Sequence, residues 1–252
     1  MKKTIAILLS VMLMLSLPGA ALAAEEAPEG ADIAAVFAQQ KKQPFARANG
    51  SIENLNTVWI YFTDGSFVQY AFIDGEYVVF SEGNYSLPNG SDFHKAEDES
   101  NEIVIRRTAK YADGKGLQPY SSEHTYRLTT LGFQQLFALR EDGKRIVAIF
   151  AGANKQTFMD GQMLDTYWLY FDDMSFVQYA CPGSDPILFS EGSYALTDGK
   201  DFHFGEDEED FGAITITRTM KFQPGLNYAP YSSEHTYDLG TLGFTCLVRD
   251  EK

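Results

Sequence analysis

Cysteine is nearly absent from this chain. Cys181 and Cys246 are the only two, and both lie in the second half. A fold stapled by several disulfides is thereby excluded, and the sequence leaves open whether these two are bridged. Cations are also scarce: 20 Lys and Arg stand against 35 Asp and Glu, for a formal charge of −15. Such a balance repels nucleic-acid backbones and anionic membrane surfaces, suits basic or neutral partners, and keeps a protein in solution. Beyond the first residues no apolar run is long enough to span a bilayer. Sustained helical periodicity is missing as well. So are the familiar marks of chemistry. The chain has no Gly-x-Ser-x-Gly elbow, no His-x-His spacing and no EF-hand ligand pattern. The sequence thus names no catalytic residue, no metal site and no cofactor.

What is present begins with an export signal. Lys2 and Lys3 precede an apolar run over residues 5–17, Pro18 and Gly19 break it, and Ala21-Leu22-Ala23 offers small residues at a cleavage site. Residues 1–23 therefore read as a signal peptide, with Ala24 as the new N-terminus and no cysteine there to carry a lipid. The expected location is outside the cytoplasm, as a secreted protein. Residues 24–32, polar and containing Pro and Gly, read as a flexible lead-in.

The remainder is a duplication. Residues 57–94 match residues 166–203 without a gap, with 21 identities in 38 positions, and residues 107–137 match 218–248 with 18 in 31. Shorter matches upstream set the copies at 33–140 and 146–249. Each has a size typical of one folding unit, although two half-barrels making a single core fit the same pattern.

Within a copy the pattern is that of strands. β-branched and aromatic runs alternate with turn signals such as Thr63-Asp64-Gly65-Ser66, Asp74-Gly75 and Pro88-Asn89-Gly90. The expected fold is all-β: two tandem antiparallel meanders of seven or eight short strands, each barrel-like. The Trp59 strand, the Asp64-Gly65-Ser66-Phe67 hairpin, the Gly83-Asn84-Tyr85 strand and the closing Tyr126-Arg127-Leu128 to Leu131-Gly132-Phe133 pair resemble the lipocalin-like small barrels of exported bacterial proteins. Copy two departs from this at Met174, which replaces the hairpin glycine. The resemblance implies a fold and transfers no functional residue.

Candidate binding residues come from strand parity. Pro119-Tyr120-Ser121-Ser122-Glu123-His124-Thr125-Tyr126 recurs letter for letter at 230–237. Period-two geometry puts Ser122, His124 and Tyr126 on one face, with Leu128, and Glu123, Thr125 and Arg127 on the other. His124 and Tyr126, with His235 and Tyr237, are thus expected to point inward, either as buried polar groups or as the lining of a ligand cavity. Arg107 shares the face of Ile103 and Ile105, and Arg218 keeps that Arg in copy two. An inward guanidinium needs an acceptor, for which Glu82 and its equivalent Glu191 are candidates. It could instead hold an anionic ligand. His94 and His203 form the second histidine pair. Acidic loops around 97–99 and 206–210 could hold calcium, but clustered acids more often mark a solvated loop. Trp59, Tyr61, Phe62, Phe67 and Tyr70 could stack on a glycan, and equally form core.

The functional expectation is a secreted, non-catalytic binding module for a small molecule, glycan or protein. A structural or protein-interaction module of the cell envelope is the second reading, and a hydrolase the third. A cavity lined by Arg107, His124 and Tyr126 would favour the first. A solid interior would favour the second.

Overall fold

The structure is a computed structural model that describes residues 25–249, apart from 96–97, 99, 130–133, 142, 158–162, 184, 198–201, 203–211 and 239–243. The expected signal peptide, His203 and most of both acidic loops lie outside the described residues.

The chain is all-β, as its turn-punctuated alternation predicts. After a two-residue strand β1 (Glu25–Glu26), the first copy forms β2 (Ile33–Ala46), β3 (Ile52–Phe62), β4 (Ser66–Ile73), β5 (Glu76–Ser86), β6 (Glu102–Ala112), β7 (Gly116–Arg127) and β8 (Gln134–Ala138). The second forms β9 (Ile146–Thr157), β10 (Met163–Phe171), β11 (Ser175–Ala180), β12 (Ile187–Leu196), β13 (Ala213–Gln223), β14 (Asn227–Asp238) and β15 (Thr245–Arg249). A single 3₁₀ turn, Phe93–Lys95, interrupts the first copy. Among the described residues no helix is long and apolar enough to cross a membrane.

The two sheets repeat one topology. The first runs β7-β6-β5-β4-β3-β2-β8, and the second runs β14-β13-β12-β11-β10-β9-β15 with β1 added beyond β15. All pairs are antiparallel except β1 with β15, where Glu25 lies beside Val248. The lead-in is therefore docked on the second unit rather than loose, and Ala27 and Ala31 are buried.

Neither sheet closes by hydrogen bonding, since β7 and β8 are the two ends of one and β14 ends the other. In place of the expected barrel, each unit is a curled, open meander. Seven flat strands would set the outer two about 29 Å apart. The seven-residue step from Arg127 to Gln134 reaches at most about 25 Å, so the sheet must curl.

Curling gives each sheet two apolar faces. Inside the first lie Phe37, Trp59, Tyr61, Phe67, Phe93, Ile103 and Ile105, with Leu128. The interior of the second is built from Phe150, Trp168, Tyr170, Phe176, Phe202, Ile214 and Ile216. Residues of opposite parity form one core shared by both sheets: Val36, Val58, Ile60, Phe62 and Val68 from the first, and Ile149, Tyr167, Leu169, Phe171 and Leu247 from the second. Residues 58–62 of β3 are thus covered on both sides, which explains why that half of the strand is apolar throughout instead of alternating.

The two units meet about a pseudo-twofold axis. Asn56 and Asp165, at equivalent places in the two copies, touch each other: Asn56 Nδ2 donates to Asp165 Oδ2 at 2.5 Å. The Tyr70 hydroxyl donates to the Leu247 carbonyl at 2.5 Å, and the equivalent Tyr179 hydroxyl donates to the Leu136 carbonyl at 2.8 Å. Leu136 and Leu247 are themselves equivalent. Such reciprocity is the signature of an isologous dimer interface, here between two halves of one chain.

Candidate functional site

The interior end of each sheet depends on a glycine. The register of β5 with β6 shifts between Glu82 and Gly83, and that of β12 with β13 between Glu191 and Gly192. A Cβ at Gly83 would run into the Arg106 carbonyl, and one at Gly192 into that of Thr217. The bulge brings the neighbouring strand close and sets Arg107 opposite Gly83 rather than opposite Glu82.

Arg107 consequently has no ion pair with Glu82, which corrects the expectation of one. Its guanidinium lies over the Trp59 ring, 5.3 Å from the centroid, and its Nη1 donates to the Tyr126 hydroxyl at 3.4 Å. Arg218 repeats this over Trp168 at 5.3 Å and to Tyr237 at 3.4 Å. Its Nε also donates to Ser190 Oγ at 3.4 Å, and the residue is only 7% exposed. Among the described residues neither arginine has a carboxylate partner. The cation–π contact and the rigid ring stack carry the charge instead. Trp59 stacks on Tyr61 at 6.2 Å and 10°, and Trp168 on Tyr170 at 6.2 Å and 7°. Burial pushes the Tyr61 and Tyr170 hydroxyls far above the ordinary phenol range, while Arg107 and Arg218 pull them back part of the way.

The expected strand faces are the observed ones. Ile105 pairs with His124, Ile103 with Tyr126 and Arg107 with Ser122. The expected enclosure of His124 nevertheless fails. His124 and His235 are exposed, and Tyr126 and Tyr237 half-buried. The reason is topological: β7 and β14 are terminal strands, so a residue turned toward the interior has no strand beyond it. His124 sits beside Tyr126 with ring centroids 5.9 Å apart, and His235 beside Tyr237 at 6.1 Å.

The six predicted residues therefore fall into two matching rows, Trp59–Arg107–Tyr126–His124 and Trp168–Arg218–Tyr237–His235, each running from the packed interior to an open edge. Ser122 Oγ and Ser233 Oγ are buried beneath them with no hydrogen-bond partner, so no Ser–His pair for nucleophilic attack forms in either. Among the described residues no group of three His, Cys, Asp or Glu could hold a metal. His94 lies exposed in the 3₁₀ turn.

Comparison of the chain with protein-family models, with curated proteins and with solved structures finds no match. The lipocalin-like resemblance therefore rests on the meander alone.

Sequence reasoning missed a cleft of about 750 Å³ between the units, lined by Lys41, Arg47, Asn56, Asp74, Met163, Asp165 and Cys181, among others. Arg47 is tied within it, donating to both oxygens of Asp74 at 2.8 Å and meeting Glu53 at 2.6 Å. The signal was the copy-to-copy difference: residues 72–79 differ from 181–188 at every position, cleft pairs Phe72/Cys181 and Asp74/Gly183 included, between runs 66–71 and 80–83 that are identical in the two copies. Cys181 belongs to the shared core and Cys246 packs at the interior of the second sheet, on the opposite face. Both thiols are free. Burial pushes the Cys181 thiol up, aided by Asp165, and raises Cys246 to about 12.

Proposed function

We propose that this chain is an exported, non-catalytic binding protein that presents two equivalent recognition edges, one on each unit. Its ligand, whether small molecule, glycan or protein, is met at an edge rather than swallowed by a barrel. The observation that carries this reading is the retention of one eight-residue sequence on both terminal strands. The copies have diverged at many positions, yet Pro119 to Tyr126 and Pro230 to Tyr237 are identical, and in both Glu, His and Thr stand exposed. Core packing does not require identity at exposed positions. A filled aromatic interior supports the same reading, because it leaves the inside of the sheet no room of the kind a lipocalin uses. Two equivalent edges on one chain would also confer avidity on a partner that repeats.

Native mass spectrometry of the protein recovered from its own medium tests this. Up to two equivalents of bound mass are expected per chain, one after Tyr126→Ala or Tyr237→Ala, and none after both. A single equivalent that survives both substitutions would contradict the edges and favour the second reading, a ligand held in the cleft on the pseudo-twofold axis. That alternative has one specific support: pockets of 300–1,000 Å³ at the junction of two units are common ligand sites.

A further inference from the structure

The two rows share an imbalance of hydrogen-bonding groups. A guanidinium has five N–H donors and no acceptor. Arg107 uses one of them, on the Tyr126 hydroxyl, and Arg218 uses two, on Tyr237 and Ser190, all at 3.4 Å. Such bonds are long beside the about 2.7–2.9 Å usual between a charged donor and an oxygen anion. The tryptophan ring beneath steadies the charge but offers no lone pair to an N–H. Each tyrosine hydroxyl accepts from its arginine and keeps its own proton to give. Ser122 and Ser233, opposite Arg107 and Arg218 in the strand register, have buried hydroxyls with no partner. Neighbouring Ser81 and Ser190 are satisfied, donating to Gln69 and Gln178 at 2.7 Å. What each row lacks is therefore an acceptor, and the lack falls at the same place in both copies. The titratable groups acting on the Tyr61 hydroxyl are Arg107, Tyr85 and Tyr126, and those acting on Tyr170 are Arg218, Tyr194, Tyr237 and Cys246, with no acid among them. The bulges at Gly83 and Gly192 keep Glu82 and Glu191 out of line with the arginines. This separation is kept twice in a chain where 35 acids stand against 20 cations.

We propose that each row is a binding site for one carboxylate group of a ligand, held by Arg107 and the Tyr126 hydroxyl on the first unit and by Arg218 and the Tyr237 hydroxyl on the second. This rests on the reading of β7 and β14 as recognition edges, and it names the chemical group they recognise. Approach is from the open side beyond the terminal strand, where Arg107 and Tyr126 are half-buried and His124 is exposed. There the two carboxylate oxygens take the unused N–H groups of the planar guanidinium fork and the tyrosine proton. Charge sets the class of ligand. One guanidinium balances one negative charge, and neither row contains a lysine. A phosphate dianion or a polyacid is disfavoured, the more so by a chain of net charge −15. The ligand is an otherwise neutral or basic molecule that carries a single carboxylate. The same group could be supplied by a peptide end or by an acid sugar.

The chain carries its own reporters, because Trp59 and Trp168 are its only tryptophans and each lies under one of the two arginines. Fluorescence titration of the full chain with acetate, against chloride at constant ionic strength, provides the test. A saturable change with acetate and none with chloride is expected. Arg107→Met and Arg218→Met should each weaken acetate at their own unit by at least about tenfold, and the double variant should lose the response. Circular dichroism on each variant confirms that the fold is kept. Where an arginine variant does not fold, Tyr126→Phe and Tyr237→Phe, which remove only a hydroxyl, should weaken the sites about two- to tenfold. N-acetylglycine and glucuronate then present the same group as a peptide end and as an acid sugar, and the tighter of the two marks the source. Equal responses to acetate and chloride overturn the proposal. So does an acetate response that both arginine variants leave intact. The ligand stoichiometry above is read separately. Two retained ligand equivalents without an acetate response sink only the carboxylate assignment. A retained ligand indifferent to Tyr126→Ala and Tyr237→Ala, beside an acetate response lost with the arginines, sinks only the edge reading.

Discussion

The two units differ least inside their curls and most where they face each other. In the interior, Trp59, Tyr61, Phe67, Tyr85 and Arg107 have matching partners to those of Trp168, Tyr170, Phe176, Tyr194 and Arg218, to which Arg218 adds Ser190. Even the bond from the Tyr85 hydroxyl to the Phe62 carbonyl, 2.8 Å, is repeated from Tyr194 to Phe171 at 2.9 Å. At the shared face, by contrast, Val58 is answered by Tyr167, Phe72 by Cys181 and Tyr77 by Pro186. Tyr77 and Tyr167 then meet across the junction at 3.5 Å between hydroxyls, with Gln40 Nε2 donating to Tyr167 at 2.9 Å. A symmetric interface makes each contact twice, and only residues on its axis meet their own equivalents. Once one chain contains both halves, each half is free to specialise, and a tyrosine on one side fills what a smaller residue leaves on the other.

High pH should produce the largest effect. Tyr61, Tyr77, Tyr167 and Tyr170 are buried, and desolvation raises each hydroxyl far above its ordinary value of 10.0. Tyr85 and Tyr194 are pushed up to about 12. The folded state therefore holds protons that the unfolded state releases. Their stabilisation is fully present below pH 10 and is lost as pH rises through 12 and beyond. Absorbance of tyrosinate and the circular-dichroism signal should change together in one cooperative step. Early, independent titration of the interior tyrosines would show that the curl is not solid.

Truncating the interior tests whether the units are energetically as alike as their distances. Trp59→Ala and Trp168→Ala should each cost about 3–5 kcal/mol, within a domain stability of about 5–15 kcal/mol. Chemical denaturation of both should also give single transitions, because the shared core couples the sheets. Two separate transitions, with only one moved by each substitution, would mean that the halves fold apart.

Strand parity made much of this legible. The all-β class, the duplication and the faces of β6 and β7 could all be read from alternation and from the repeat. The exposure of His124 could not, because parity tells which face a residue takes and not whether another strand lies beyond it. Nor could the Arg107 contact: the bulge at Gly83 moves Glu82 out of line, and a lone glycine in a strand does not announce how far a register shifts. The cleft was hidden for a different reason. It is made by segments of both copies, about a hundred residues apart in sequence, and only the docking of the sheets brings Asn56 to Asp165.

The reciprocal hydrogen bonds across the junction come next in size. Tyr70→Phe and Tyr179→Phe each leave a carbonyl without its donor, at about 1–3 kcal/mol. Two similar losses would support the pseudo-twofold reading. A loss at Tyr70 alone would show that one side of the junction carries it, since Tyr70 is buried and Tyr179 only half-buried.

The arginines give a graded series. Arg107→Ala removes a cation–π contact and a long hydrogen bond, not a buried ion pair, so about 1–2 kcal/mol is expected in place of the 3–5 kcal/mol that stranding a buried charge would cost. Arg218→Ala should exceed it, because Arg218 is more buried and also bonds Ser190. Arg106→Ala should fall within about 0.5 kcal/mol. Its bond to Glu123 is short, but the two side chains are 50% and 62% exposed, and water and salt screen such pairs. The second unit already makes this substitution in nature's own way, with Thr217 where Arg106 stands, and its strand β13 keeps the same pairing with β14. Denaturation of the three variants side by side settles the order. If Arg106→Ala proved as damaging as Arg107→Ala, the outer face of β6 would have to be covered, and the solvent-facing reading of the Arg106–Glu123 pair would be lost with it.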